Sequence, residues 1–139
     1  MKIYNAQNLI VGRLAAKVAK EALLGEEVFI VNCNQAVISG DKNDIMKREK
    51  QRRSRSGYPL TKAKLPRSPD RFVRRAVRGM LPWKFTRGKE AFKRVMCYRN
   101  LPEELNGKEL LTIKEAQANK LPGRQFLTVE RICTQLGGK

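Results

Sequence analysis

Residues 1–40, MKIYNAQNLIVGRLAAKVAKEALLGEEVFIVNCNQAVISG, place short apolar runs on either side of one long amphipathic stretch. Ile3-Tyr4-Asn5 predicts a short strand, and Val28 to Val31 predicts a buried one, because a continuous run with β-branched residues is typical of a covered strand. Between them, Asn8 is expected to cap a helix that Gly25 ends. Apolar residues recur along this helix at helical spacing: Leu14, Ala15, Val18, Ala19, Ala22 and Leu23. With Val37-Ile38 after a polar turn, the stretch predicts a βαβ unit.

Later stretches predict further helices, most of them marked by a capping residue. Asp41 is expected to begin one, and Ser68-Pro69-Asp70 begins a second that ends near Gly79. Thr86 is expected to cap a third, with its inward side formed by Ala91, Phe92, Val95 and Met96. The C-terminal third predicts a strand-like run at 110–113, a short polar helix from about Lys114 and a terminal helix. The inward residues of the terminal helix are expected to be Val129, Ile132, Cys133 and Leu136.

Composition restricts the class of protein. A chain of 139 residues with 41% apolar residues is expected to form one domain with a real core. No run approaches the roughly 20 apolar residues that cross a bilayer, and no signal-peptide core is present, so we expect a soluble intracellular protein. The chain has no histidine, which removes the common Ser-His and Cys-His nucleophile pairs and most zinc sites. The odd set Cys33, Cys97 and Cys133 predicts buried thiols rather than disulfides.

Positive charge is concentrated in the middle of the chain. Residues 42–99 contain 8 Lys and 12 Arg against 4 acidic residues, so they carry +16 of the net charge of +17. General solubility would spread such an excess over the whole chain. Localised charge of one sign instead predicts a polyanionic partner, because neutralised phosphates release condensed counterions and this release drives binding.

Residues 68–80 place four arginines on one side of a predicted helix. On a helical wheel, Arg71, Arg74, Arg75 and Arg78 share one arc, and the opposite side holds Phe72, Val73, Ala76, Val77 and Met80. Guanidinium groups suit phosphate, and four together without a carboxylate repel one another unless an anion lies against them. A solvated basic face is the alternative, although such faces usually mix both signs.

Residues 47–67 lose apolar periodicity and predict a basic arm, inserted in the single domain and partly unstructured without a partner. Tyr58 is the candidate stacking ring within it. The cations assigned to the arm are Arg48, Arg52, Arg53, Arg55, Lys62, Lys64 and Arg67. A merely mobile charged loop is the alternative, but it leaves the unbroken positive sign unexplained.

Other functions are less well supported. A basic amphipathic helix also suits anionic membranes, but the apolar side of residues 72–80 would then be exposed and the core left uncovered. The segment around Gly88-Lys89 departs from the phosphate-binding loop pattern at two places. A two-metal nuclease built on Asp41 and Asp44 lacks further ligands. A free-standing regulator that binds mRNA or DNA would use the same basic surface.

Two segments resemble a known family. They are Val11-Gly12-Arg13-Leu14-Ala15-Ala16, which continues to Ile38-Ser39-Gly40, and Val77-Arg78-Gly79-Met80-Leu81-Pro82, which is followed by Thr86-Arg87-Gly88. Their order and spacing closely resemble the universal thirteenth protein of the large ribosomal subunit along nearly the whole chain. The basic arm and Pro66-Arg67-Ser68-Pro69 look more like the archaeal and eukaryotic branch.

The resemblance implies a single domain over residues 1–139, with an α/β fold of three α/β/α layers around a parallel or mostly parallel sheet. It implies a structural constituent of the large subunit that binds folded rRNA, with no catalytic residues, cofactor or metal. RNA contacts are expected in the basic middle and around the Gly-Met-Leu-Pro loop, where Trp83 receives no fixed role. We therefore assign phosphate contacts to the helix and loop residues Arg71, Arg74, Arg75, Arg78 and Lys84, and to the neighbouring Arg87 and Lys89.

The expected partners are large-subunit rRNA and neighbouring large-subunit ribosomal proteins. No membrane and no small-molecule substrate is expected. We further expect a cytoplasmic location in the ribosome and a monomer outside it. Recognition of RNA shape and backbone should outweigh base reading, as is usual for double-helical RNA.

Overall fold

The computed structural model of the chain describes residues 1–55, 65–123 and 125–138. The strands and helices in chain order are β1 (Lys2–Asn5), α1 (Val11–Leu23), β2 (Val28–Val31), β3 (Val37–Ser39), α2 (Lys42–Ser54), α3 (Pro69–Gly79), α4 (Thr86–Lys93), β4 (Val95–Cys97), β5 (Phe126–Thr128) and α5 (Val129–Gln135). Short 3₁₀ turns at Cys33–Gln35, Glu103–Leu105, Lys114–Ala116 and Ala118–Lys120 connect some of them.

The central sheet is parallel, with strand order β1, β2, β4. Ile30 lies at its centre, opposite Tyr4 on one side and Cys97 on the other. Because parallel neighbours need a crossover, α1 connects β1 to β2 and forms the predicted βαβ unit. Contrary to the prediction, residues 37–38 do not belong to this unit. They lie in β3, which pairs antiparallel with β5 in a separate two-stranded sheet.

One face of the central sheet is covered by helices. The buried side chains of α1 and α3, among them Leu14, Val18, Val73 and Val77, pack with Ile30 and Val95 of the strands in one cluster. Helix α4 adds Ala91 to the same cluster. Alternate strand residues point to this face because side chains along a strand alternate between its two faces.

The opposite face is covered by residues 98–110, which contain a 3₁₀ turn. Ile3 and Val31 pack there against Leu105, with Phe29 and Tyr98 beside them. The rings of Phe29 and Tyr98 are nearly parallel, with centroids 6.3 Å apart. A mostly parallel sheet with helices packed on it confirms the α/β fold class, and on this second face the layer is built from a turn and loop rather than a long helix.

The start of α1 differs from the prediction. Asn8 does not cap the helix, because its backbone is held by two other segments: its N–H donates to Gln35 O at 3.1 Å, and its carbonyl accepts from Ala118 N–H at 2.9 Å. With φ +56°, Asn8 turns the chain, and Ile10 takes the N-cap position without a side-chain cap. The other end is as predicted, since Gly25 follows α1 at φ +100°.

Some other sequence predictions are wrong. The run at 110–113 is not a strand; only Leu111 forms a parallel bridge, to Tyr4. Met96 lies in β4 with its side chain 38% exposed, instead of inward on a helix. The short polar helix at Lys114 is a single 3₁₀ turn, whereas α5 forms as predicted and buries Val129, Ile132 and Cys133.

Leu14→Ala should destabilise the chain strongly, because Leu14 is fully buried between α1 and the sheet. We expect the free energy of unfolding in urea to fall by about 2–5 kcal/mol. Leu24→Ala is the matched control, since the same atoms are removed from a side chain that is 73% exposed. It should change stability by less than about 0.5 kcal/mol. Equal losses in the two variants would contradict the placement of α1.

Candidate nucleic-acid interface

Helix α3 has one buried and one cationic side. Val73 and Val77 are fully buried, and Phe72 and Ala76 are partly buried against the same core. The side chains of Arg71, Arg75 and Arg78 are exposed. Among the described residues, none of these three arginines forms an ion pair. The helix therefore presents uncompensated guanidinium groups from a rigid, buried base.

The beginning of α3 follows the sequence only in part. Ser68 takes the N-cap position and Pro69 the first helical position, as predicted. The Ser68 hydroxyl donates to the Asp70 carboxylate, so it does not cap a backbone N–H group. Met80, expected on the packed side, follows the end of α3 and is 43% exposed.

Two arginines of α3 lie on aromatic rings. The Arg74 guanidinium carbon is 4.6 Å from the centre of the Phe92 ring, and that of Arg78 is 4.8 Å from the Trp83 ring. The two rings meet edge to face, with centroids 5.2 Å apart and planes at 89°. Such contacts hold a guanidinium in place without neutralising it.

Arg74 is thus less available to a partner than its position on the helical wheel suggests. Its side chain turns from the arginine arc toward Phe92, and its buried Nε has no hydrogen-bond partner in the part of the chain that the structure describes. Arg78, also on a ring, stays exposed. Sequence reasoning gave Trp83 no role, and the spacing between α3 and α4 carries no signal that would have predicted this stacked arrangement.

Backbone hydrogen bonds between residues close in sequence hold the loop between α3 and α4, residues 80–85. Trp83 N–H donates to Leu81 O at 2.8 Å, and Phe85 N–H donates to Pro82 O at 3.0 Å. Helix α4 begins at Thr86, so Phe85 takes the N-cap position and Thr86 does not cap the helix as predicted. The cations Lys84, Arg87 and Lys89, assigned from the sequence, are all exposed on this loop and the first turns of α4.

Helix α2 supplies the second group of cations. Asp41 caps it as predicted, accepting from Asn43 N–H at 2.9 Å. The helix continues to Ser54, so the prediction of an irregular arm from Lys47 is wrong for residues 47–54. Buried Glu49 supports the helix at this point, because it pairs with Arg52 at 3.1 Å and with Arg53 at 2.8 Å one turn further along.

Arg53 has a structural position. Besides Glu49, it donates to Pro66 O at 2.8 Å and so joins the end of α2 to the segment that enters α3. The remaining described arm cations, Arg48, Arg52, Arg55 and Arg67, are exposed. Tyr58, Lys62 and Lys64 lie outside the described residues.

Helices α2 and α3 border a common groove of about 550 Å³. Its lining includes four arginines of the α2 region and one of α3, namely Arg48, Arg52, Arg53, Arg55 and Arg75. Apolar side chains, among them Ile45, Phe72 and Ala76, also line it. The structure thus brings together the cations of α2 and α3 that the sequence had assigned separately to an arm and a helix.

The groups with shifted pKa values lie in the core. Burial raises the pKa of the Tyr4 hydroxyl, and its 2.8 Å hydrogen bond to Glu21 adds to the increase. A hydrogen bond with Cys97, followed by burial, raises the pKa of Cys33. Burial likewise raises the pKa of Cys133 to about 11. Cys33 and Cys133 are buried as predicted, whereas Cys97 is partly exposed.

Within the described ranges, no cluster of three or more Cys, Asp and Glu side chains could hold a metal ion. The Asp41 carboxylate is engaged in capping α2. None of the helices in those ranges has the length and apolar character needed to traverse a bilayer. The fold is α/β, and the exposed arginines of α3 give it a basic face.

Sequence comparisons identify the family. Residues 1–104 match the family described as ribosomal protein L13. The chain is 41% identical to the large ribosomal subunit protein uL13 of Thermoplasma volcanium over 138 residues, covering 99% of each chain. The proteins of the same name from Archaeoglobus fulgidus (38% identity; 97% of this chain, 86% of the relative) and Methanocaldococcus jannaschii (38%; 100% and 99%) are similar over nearly their whole lengths.

The chain belongs to the ribosomal protein L13 family. This confirms the resemblance seen in the two sequence motifs, and the relatives come from archaea, in agreement with the branch inferred from the basic segment. The family is one of ribosomal proteins rather than enzymes, which confirms the prediction of a non-enzymatic protein.

Gly88→Ala should disturb the loop that carries Trp83 and Phe85. A Cβ atom at position 88 would lie 2.1 Å from Pro82 O, a backbone atom that cannot move without moving the loop. We expect a clear loss of thermal stability, although alanine normally favours a helix. Gly79→Ala is the control, because a Cβ there meets nothing within 4 Å. A melting temperature for Gly88→Ala equal to or above that of Gly79→Ala would contradict the close approach.

Proposed function

We propose that this chain is a structural constituent of the large ribosomal subunit, where it binds and stabilises folded large-subunit rRNA through its basic central region. Its similarity to proteins named as large ribosomal subunit proteins, along nearly the whole chain, supports the ribosomal role. In this proposal the chain works in the ribosome in the cytoplasm. Its partners are rRNA and neighbouring ribosomal proteins, with no membrane and no small-molecule substrate, and it is a monomer when free.

The RNA-binding proposal rests on the exposure of the α3 arginines and on their lack of acidic partners among the described residues. Arg71, Arg75 and Arg78 are exposed without an ion pair among the described residues, while Val73 and Val77 fix the helix in the core. Three like charges at helical spacing repel one another, and closely spaced phosphates relieve that repulsion. A polyanion with a regular backbone meets this requirement better than a small anion does.

The groove between α2 and α3 extends the proposed RNA-binding surface beyond α3. Cations from both helices border it, and Glu49, the acidic residue that lines it, is already paired with Arg52 and Arg53. Lys84, Arg87 and Lys89 continue the positive surface along the adjoining loop and the start of α4. Because helices and hydrogen-bonded turns carry these cations, the surface suits a folded RNA of defined shape, and backbone contacts should outweigh base reading.

The described cations divide into two groups in this proposal. The first group contacts phosphate directly and consists of Arg48, Arg52, Arg55, Arg67, Arg71, Arg75, Arg78, Lys84, Arg87 and Lys89. Arg53 and Arg74 act mainly by holding neighbouring groups, through Pro66 and Phe92 respectively. Lys62 and Lys64 remain assigned to RNA on the sequence argument alone.

Replacing Arg71 and Arg75 together by alanine should lower the salt dependence of RNA binding. Each lost phosphate contact removes about 0.7 to 0.9 from the slope of log K against log salt, so the double variant should lose about 1.4 to 1.8. The measurement is titration of a structured large-subunit rRNA fragment at several salt concentrations.

Arg131→Ala is the control for that titration, since Arg131 is an exposed arginine on α5, outside the basic region. It should leave the slope nearly unchanged. Thermal melting of each variant checks that the fold is intact, which we expect because neither Arg71 nor Arg75 is buried. A double variant with the slope of the unmodified chain would remove α3 from the interface.

The ribosomal role has its own test. In a sucrose gradient of cell lysate, the chain should sediment with the large subunit. It should remain there after a high-salt wash, because the shape of the rRNA site contributes to binding in addition to charge. Release into the top fractions at modest salt would contradict this role. It would favour a free-standing regulator that binds mRNA or DNA through the same surface.

A further inference from the structure

The loop between α3 and α4 exposes a cluster of large apolar side chains. Met80 is 43% exposed, Trp83 38% and Phe85 69%. These are three of the seven large apolar residues that are most exposed in the described part of the chain, and they lie within six consecutive positions. Single exposed apolar residues are ordinary, but several within one short, hydrogen-bonded loop indicate a surface that a partner covers.

Contacts within the protein hold the Trp83 ring and the backbone of the loop. The Arg78 guanidinium carbon lies 4.8 Å from the centre of the Trp83 ring, and the Phe92 ring packs against Trp83 with the two centroids 5.2 Å apart. The Phe85 backbone is fixed on both sides: its N–H donates to Pro82 O, and its carbonyl accepts from Gly88 N–H at 3.1 Å. The approach of Gly88 to Pro82 closes the loop against α4. A preformed loop loses little conformational entropy on binding.

The charges around the cluster indicate what covers it. Arg78, Lys84, Arg87 and Lys89 are all exposed, and residues 78–89 contain no acidic residue; the next one along the chain is Glu90. An apolar protein surface laid on this loop would have to desolvate several cations without compensating them. Unpaired nucleotides offer both required features, a flat π face for the aromatic ring and a phosphate on each side for the cations.

We propose that Phe85 is a stacking residue for an unpaired base in RNA, with Trp83 at the border of the same site and Lys84 and Arg87 on the flanking phosphates. This proposal rests on the proposed function and adds a specific element to it. The α3 arginines bind RNA by shape and charge, whereas the 80–85 loop prefers RNA that presents an unstacked base. A bulge or a loop nucleotide is the chemical class of ligand.

The test compares two RNA probes. One is a stem that carries a single bulged adenosine, and the other is the same stem fully paired. The unmodified chain should bind the bulged stem more tightly. Phe85→Leu keeps an exposed apolar side chain but loses the π face, so it should bind the bulged stem on the order of tenfold more weakly, with its affinity for the paired stem unchanged.

Two further variants and one fluorescence measurement extend the comparison. Phe85→Tyr keeps an aromatic face and should retain the preference for the bulged stem. Met80→Leu changes an exposed apolar neighbour and should leave both affinities unchanged. Trp83 is the chain's single tryptophan and lies two residues from Phe85, so its fluorescence should change more on binding the bulged stem than the paired one.

The outcomes separate this proposal from the proposed function. If Phe85→Leu binds both stems as the unmodified chain does, the stacking proposal is wrong, and the apolar cluster then belongs to a contact with a neighbouring protein. The salt slope on the paired stem, which depends on the α3 arginines, is unaffected by that result. If the unmodified chain binds neither stem at any salt concentration, the stacking proposal is wrong, and the proposed function is decided separately by the titration of the structured large-subunit rRNA fragment.

Discussion

The burial of Val73 and Val77 is the constraint on which the basic surface depends. These two side chains anchor α3 between α1 and the strands, with no solvent exposure. The opposite side of the helix then faces outward, and Arg71, Arg75 and Arg78 are exposed there. The helix cannot rotate to spread its positive charge without exposing its valines, so packing in the core determines the orientation of the cations.

Several arginines stabilise the protein's own structure, so the net charge overstates the number of free cations. Arg53 joins α2 to Pro66, and Arg94 donates to Ala22 O at 3.4 Å at the end of α1. Arg74 lies on Phe92 and Arg13 donates to Glu115 O at 2.9 Å. Guanidinium groups suit both purposes, because the planar fork bonds to carbonyls and carboxylates as readily as to phosphate. Only the structure separates the two groups.

The sequence was sufficient where one local signal determined the result. The apolar run at 28–31, Gly25 after α1 and the Asp41 cap all act within one turn or one strand, and each was predicted correctly. Asn8 was misread because distant partners, Gln35 and Ala118, hold its backbone. For the candidate site, the exposed α3 arginines were predicted from helical periodicity. Helical periodicity does not predict that Arg74 turns toward Phe92 or that residues 47–54 are helical. Both features depend on contacts with other residues.

The connection between β2 and β4 has a consequence for how the chain folds. The two strands are hydrogen-bonded neighbours, with Val28 opposite Val95, yet most of the basic excess lies in the chain between them. Closing such a long connection is already slow because of its entropy. Mutual repulsion among its cations raises the barrier further, and anions that screen the repulsion lower it. A polyanion can therefore speed the completion of the central sheet and act as a folding template as well as a ligand.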